Sequence, residues 1–157
     1  MSVLRHPVLH RVVALVLGAV FLMASYDKLV HPADFARIIY RYQLIGPSQE
    51  LGPRWANLLA ITLPWVELVT GLLLLTGVWR REAALLASVM MLVFVAAIGL
   101  ALARGIDLEN CGCFSVTGDG RAFGAWLLVE DLALTAAALV VGLVKPREAS
   151  PALAVRP

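Results

Sequence analysis

Two residue types in this chain are able to do chemistry. The first is cysteine. Cys111 and Cys113 are the only two, set one residue apart in Asp107-Leu108-Glu109-Asn110-Cys111-Gly112-Cys113-Phe114. In an extended segment residues i and i+2 point to the same side, with Cα atoms roughly 6.6 Å apart, near the upper limit for a disulfide. A turn at Gly112 shortens that distance, because glycine accepts positive φ. The pair can therefore close under strain, and strained disulfides are the exchangeable kind. A redox-active pair is the leading reading. A static clip is the bland alternative, although so small a loop stabilises little. A soft-metal site such as Cu(I) is another, but two thiolates cannot complete a tetrahedral zinc site and no histidine lies beside them. Chance free thiols complete the set.

The second type is carboxylate inside apolar sequence. Glu67, Glu130 and Asp131 fall within long hydrophobic blocks. Glu67 is expected roughly 16–20 Å into its helix, near the membrane midplane, with Glu130 and Asp131 one to two turns deep in theirs. Ionised acids at such depth are expensive, and a role in proton handling is the default hypothesis. The competing reading is a protonated or hydrogen-bonded acid that fixes helix packing, or, for Glu130 and Asp131, one that reaches the interface. With the cysteines, these three are the candidate catalytic residues. No metal set, Gly-rich phosphate loop or Ser-His-Asp arrangement stands out.

The elements that must position these groups are membrane helices. The 157 residues are 61% hydrophobic and 15% charged, more apolar than a soluble domain of this length. The expected architecture is all-α: a polytopic membrane protein with four transmembrane helices in one domain, residues 1–146. The spans are expected at about 8–25, 54–79, 83–103 and 126–144, the first as a retained span rather than a cleaved leader. Residues 147–157 are expected to be a flexible cytoplasmic tail. Between the first two spans, Phe35, Ile38, Ile39 and Tyr42 recur at helical spacing, with Arg37 and Arg41 off the stripe. That predicts a short amphipathic helix, either lying at the membrane interface or packing its stripe on the bundle. Gly46-Pro47 and Gly52-Pro53 are expected as turns, Pro64 as a kink, and Arg80-Arg81-Glu82 as a tight turn. Trp55, Trp65, Trp79 and Trp126 suit interfacial anchors. A net charge of +2, spread along the chain, points to no nucleic-acid partner.

Four spans put both termini on one side. The side carrying the termini holds seven Lys and Arg, counting Arg80 and Arg81 in their tight connection, against six on the other. The positive-inside bias therefore favours cytoplasmic termini and a periplasmic cysteine loop, in a bacterial inner membrane. The periplasm is where a dithiol pair can cycle.

These parts together resemble the MauE (methylamine-utilisation) proteins of the DoxX-like membrane superfamily. The matching pieces are Ala24-Ser25-Tyr26-Asp27-Lys28-Leu29 with His31-Pro32 and Phe35, then Leu63-Pro64-Trp65-Val66-Glu67-Leu68 with Gly71. Asn110-Cys111-Gly112-Cys113-Phe114 follows, and then the closing span after Trp126. The resemblance covers roughly residues 8–146. It departs at Ser115, where the familiar pattern often has glycine after Cys-Gly-Cys-Phe. It implies a four-helix bundle working in redox or disulfide chemistry, beside a periplasmic thioredoxin-like partner, in maturation of a disulfide-rich periplasmic dehydrogenase subunit. DoxX-like relatives include subunits that pass electrons to quinone, so a quinone is the implied cofactor class. The expected function is thiol–disulfide exchange or electron transfer through Cys111 and Cys113, in contact with the lipid bilayer and other membrane subunits. The alternative is a non-catalytic scaffold or anchor subunit whose cysteine pair is a clip.

Overall fold

The computed structural model describes residues 6–42, 51–105 and 125–144. Every regular element among them is a helix: α1 Pro7–Val30, α2 Pro32–Arg41, α3 Leu51–Thr76, α4 Arg80–Ala103 and α5 Ala125–Leu143. The cysteine loop, the turn expected at Gly46-Pro47 and the tail lie outside the described residues.

Three stretches among the described residues, Pro7–Val30, Pro53–Thr76 and Arg80–Ala103, are long and apolar enough to cross a membrane. Their outer faces carry Val16, Met23, Ile61, Val69 and Val93, all exposed on the protein surface. In water so much exposed apolar surface would drive association; against lipid it needs no cover.

The inner faces explain the bundle. On α1 the buried positions include the stripe His10, Ala14, Leu17, Phe21, Ala24 and Lys28, flanked by buried Gly18 and Ser25. Steps of four and three alternate, the 3.5-residue repeat that keeps one stripe facing a neighbouring helix. α3 repeats it with Ala56, Ala60, Leu63, Glu67, Thr70 and Leu74, of which only Leu63 is half-buried. On α4 it runs through Ala87, Met90, Phe94, Ala97 and Ala101, and on α5 through Asp131, Thr135, Ala138 and Val141. Small residues hold many of these places, so the helices approach closely. Where α1 crosses α3, a Cβ on Gly18 would lie 2.8 Å from Leu75 Cγ and 2.9 Å from the Gly71 carbonyl oxygen. A Cβ on Gly71 would lie 3.0 Å from the Gly18 carbonyl oxygen and 3.1 Å from Leu22 Cδ2. Gly18 facing Leu75 while Leu22 faces Gly71 makes the two helices antiparallel. α4 and α5 form the second antiparallel pair, pinned where Arg81 Nε donates to the Gly142 carbonyl at 2.9 Å.

α2 lies across one end of this bundle. Its predicted stripe is buried: Phe35, Ile38 and Tyr42 pack with Ala60 of α3 and Ala97, Ile98 and Ala101 of α4, and Ile39 rests against the same cluster. Of the two arrangements weighed for this segment, packing on the bundle is the one observed. Pro32 opens the helix and Asp34 stands in its first turn, where the helix dipole favours an acid.

Three local expectations change. α1 continues past the expected span end at Ser25 to Val30, which places Lys28 in a core stripe. Gly52-Pro53 is not a turn but the start of α3, where proline loses no hydrogen bond. Arg80-Arg81-Glu82 is not a turn either: it is the first turn of α4. The reversal is made just before it, by Gly77 at φ 76° and Trp79 at φ 46°. Two left-handed residues so close together need no charged turn to reverse the chain.

Candidate functional site

The polar residues on the inner stripes meet at one level of the bundle. Gly18 lies against the turn between Gly71 and Leu75, so Lys28, ten residues on, stands level with the turn at residues 61–65 of α3. Side chains lean toward the N-terminus of their own helix, and in antiparallel helices those leans oppose. Lys28 and Glu67 therefore lean toward each other and close an offset of about one turn. Lys28 Nζ donates to Glu67 Oε1 at 2.5 Å. Lys28 is 1% exposed and Glu67 3%, so the pair is fully desolvated. Two aromatic rings complete the ammonium's surroundings: its Nζ lies 5.1 Å from the ring centre of Phe35 on α2 and 5.0 Å from that of Phe94 on α4. The negative faces of those rings supply part of what water would supply to a cation. Three helices besides its own thus hold Lys28.

Beyond Glu67 a cavity opens between four helices. It is lined by Val20, Phe21 and Ala24 of α1, Glu67 of α3, Met90, Met91 and Phe94 of α4, and Asp131 of α5. Two of the sequence-predicted acids, Glu67 and Asp131, are therefore brought to one space from opposite sides of the bundle. Asp131 is 1% exposed. The Thr135 hydroxyl, one turn on, donates to the Asp131 main-chain carbonyl at 2.6 Å. Glu130 is not brought there. It sits one place off the inner stripe of α5, half-buried, and does not line the cavity. Cys111 and Cys113 lie outside the described residues. Among those residues no group of three or more His, Cys, Asp or Glu gathers as a metal ion would require.

Lys28 is the site residue that sequence reasoning missed. Lying beyond the expected span end at Ser25, its charge looks like a loop charge in the sequence. The signal was present in the repeat His10, Ala14, Leu17, Phe21, Ala24, which reaches Lys28 at its next step. A second signal was Glu67 itself, since an acid buried at that depth calls for a cation.

The family described as "Methylamine utilisation protein MauE" matches residues 6–144, which takes in all five helices and both members of the buried pair. The chain belongs to the MauE family. Three curated MauE proteins resemble it over most of its length. The methylamine utilization protein MauE of Paracoccus denitrificans is 31% identical over 132 residues, 83% of this chain and 66% of the relative. That of Methylorubrum extorquens is 34% identical over 115 residues, 73% of this chain and 58% of the relative. That of Methylophilus methylotrophus is 31% identical over 132 residues, 84% and 64%. The match thus spans about two thirds or less of the length of these MauE relatives. No solved structure matches the chain.

Proposed function

We propose that this MauE-family chain is a multi-pass inner-membrane protein of methylamine utilisation that works by thiol–disulfide exchange. Membership of the family over residues 6–144 is the observation that carries the methylamine reading. The spacing of Cys111 and Cys113 supports the chemistry.

In this reading α5 is the fourth span, α2 sits at the outer interface, and the termini are cytoplasmic. Burial of Lys28 favours that orientation. It removes one cation from the count outside, leaving seven against five. The cysteine loop then faces the periplasm and a thioredoxin-like partner. A partner thiolate attacks the Cys111–Cys113 disulfide to give a mixed disulfide, and the partner's second thiol resolves it. The partner becomes a disulfide, and two electrons and two protons end on Cys111 and Cys113. Re-oxidation passes both electrons and both protons to a lipid-soluble acceptor. The class taken here is a quinone, which leaves as the quinol. Glu67, Asp131 and Glu130 are the carboxylates available to carry protons.

The test is a trap. In membranes of cells expressing the methylamine-utilisation proteins, Cys113→Ser leaves Cys111 unable to complete the intramolecular bond. A reductant-sensitive adduct of raised mass should accumulate on Cys111, and it should vanish in the double serine variant. Thiols that stay permanently oxidised in the unaltered chain, with no adduct in the trap, would establish the scaffold alternative instead.

A further inference from the structure

Glu67 uses only half of its carboxylate on Lys28. Oε1 takes the ammonium, while Oε2 is buried with no hydrogen-bond partner among the described residues. A buried acceptor left unsatisfied is destabilising. It persists where something fills the need, and Glu67 lines the cavity. The space open to the centre of a water-sized sphere is about 30 Å³. One water needs about 10–15 Å³ by that measure, so two or three fit and a ring-shaped headgroup does not.

We infer that this cavity is a hydrated proton-exchange site, in which two or three waters hydrogen-bond to Glu67 Oε2 and reach Asp131 on the opposite helix. Water is the occupant that fits: it donates to Oε2, passes a proton on, and tolerates the apolar walls supplied by Met90, Met91 and Phe21. The charged groups at the site are Lys28 from α1, Glu67 from α3 and Asp131 from α5. α4 contributes Met90, Met91 and Phe94, and α2 contributes Phe35 against Lys28. Lys28 is a positioning residue: by fixing Oε1 it leaves Oε2 as the oxygen that exchanges. Glu130, off the inner stripe, does not line this cavity. This deepens the proton step of the proposed function, and its test uses the full chain alone in lipid bilayers. It can therefore fail while partner exchange at the cysteines stands, or stand while that fails.

The test is infrared difference spectroscopy between acid and alkaline pH, in ordinary and in oxygen-18 water. One carboxyl band assigned by its loss in Glu67→Gln should titrate, together with a water band that shifts in oxygen-18 water. Groups that share bridging waters titrate as a coupled pair, so Asp131→Asn should move the Glu67 titration by about one pH unit or more. Ala24→Leu fills the cavity and should abolish the shifting water band. If that variant does not fold, Val20→Phe fills the same space from its rim and should do likewise. A water band that survives the filling variant, or a Glu67 titration that Asp131→Asn leaves in place, overturns the inference.

Discussion

Replacing Lys28 by methionine keeps the volume and flexibility of the side chain and removes its charge. Glu67, 3% exposed, is then a buried carboxylate without its cation. Breaking a buried ion pair by deleting one partner costs about 3–5 kcal/mol. The loss here has a ceiling, because the lone carboxyl can escape its charge by taking a proton. From the ordinary carboxyl range near 4.3 to pH 7 that costs about 3.7 kcal/mol, at about 1.36 per unit. Lys28→Met should therefore lose about 3 kcal/mol at pH 7 and only about 1 at pH 5, where the proton is nearly free. Glu67→Leu should lose a similar amount at pH 7, since it leaves the ammonium buried with only the Phe35 and Phe94 rings. The double variant, Lys28→Met with Glu67→Leu, has no buried charge at this point and should lie within about 1 kcal/mol of the unaltered chain. The assay is reversible denaturant unfolding in detergent micelles at the two pH values, completed as a double-mutant cycle. A double variant as unstable as the two singles added, about 6 kcal/mol down, would refute the reasoning. So would a Lys28→Met loss that does not shrink with acid.

Other perturbations read other parts of the fold. Gly18→Ala should cost about 1–3 kcal/mol, because its Cβ meets a backbone carbonyl oxygen at 2.9 Å. Gly71→Ala should cost less, its contacts starting at 3.0 Å; equal stability of both variants and the parent in the same unfolding assay would remove the close crossing. Phe35→Asp should prevent folding rather than merely loosen membrane attachment, since Phe35 is fully buried against α3 and α4, and protease resistance in membranes is the measurement. Phe94→Leu should lose about 1–2 kcal/mol in the parent, the scale of a desolvated cation–ring contact, and less in Lys28→Met, where no cation remains. A reporter fused after Pro157 should read cytoplasmic and one at Gly118 periplasmic; the reverse pair would place the thiols in the wrong compartment for exchange.

The helices were legible because their signal is composition and length. The same signal is blind to partners. In the sequence Glu67 stands alone as an acid in its span, and if it only supported packing, Glu67→Leu would be tolerated or stabilising. Lys28 reverses the sign. It escaped because loop charge and core charge look identical until a helix end is placed, and helix ends are set by contacts rather than propensity: α1 runs on to Val30 under the cover of α2. The same limitation joined Glu130 to Asp131. They are neighbours in sequence, but only one of two adjacent helical positions can lie on a 3.5-residue stripe, and the stripe of Thr135, Ala138 and Val141 selects Asp131. The stripe of α2 was legible too. What the apolar pattern alone did not decide was whether lipid or protein would cover it.

The site's position along the bundle adds a step to the functional reading. Lys28 lies two residues from the C-terminal end of α1, and Asp131 six residues, or about 9 Å, inside the N-terminal end of α5. Phe94 lies nine residues, about 14 Å, from the C-terminal end of α4. Those three helix ends share one side of the bundle, because α1 and α3 run antiparallel, as do α4 and α5, and α2 closes that side over Ala97 and Ala101. The chain between α4 and α5, which carries Cys111 and Cys113, leaves and re-enters the bundle at this same side. Lys28 and Asp131 therefore lie toward this end of the bundle, while Glu67, sixteen residues or about 24 Å inside α3, lies deeper, with the Ala14, Leu17 and Leu74 core beyond it. Under the proposed exchange chemistry, that placement suits proton transfer between these carboxylates and the compartment that the cysteine loop faces.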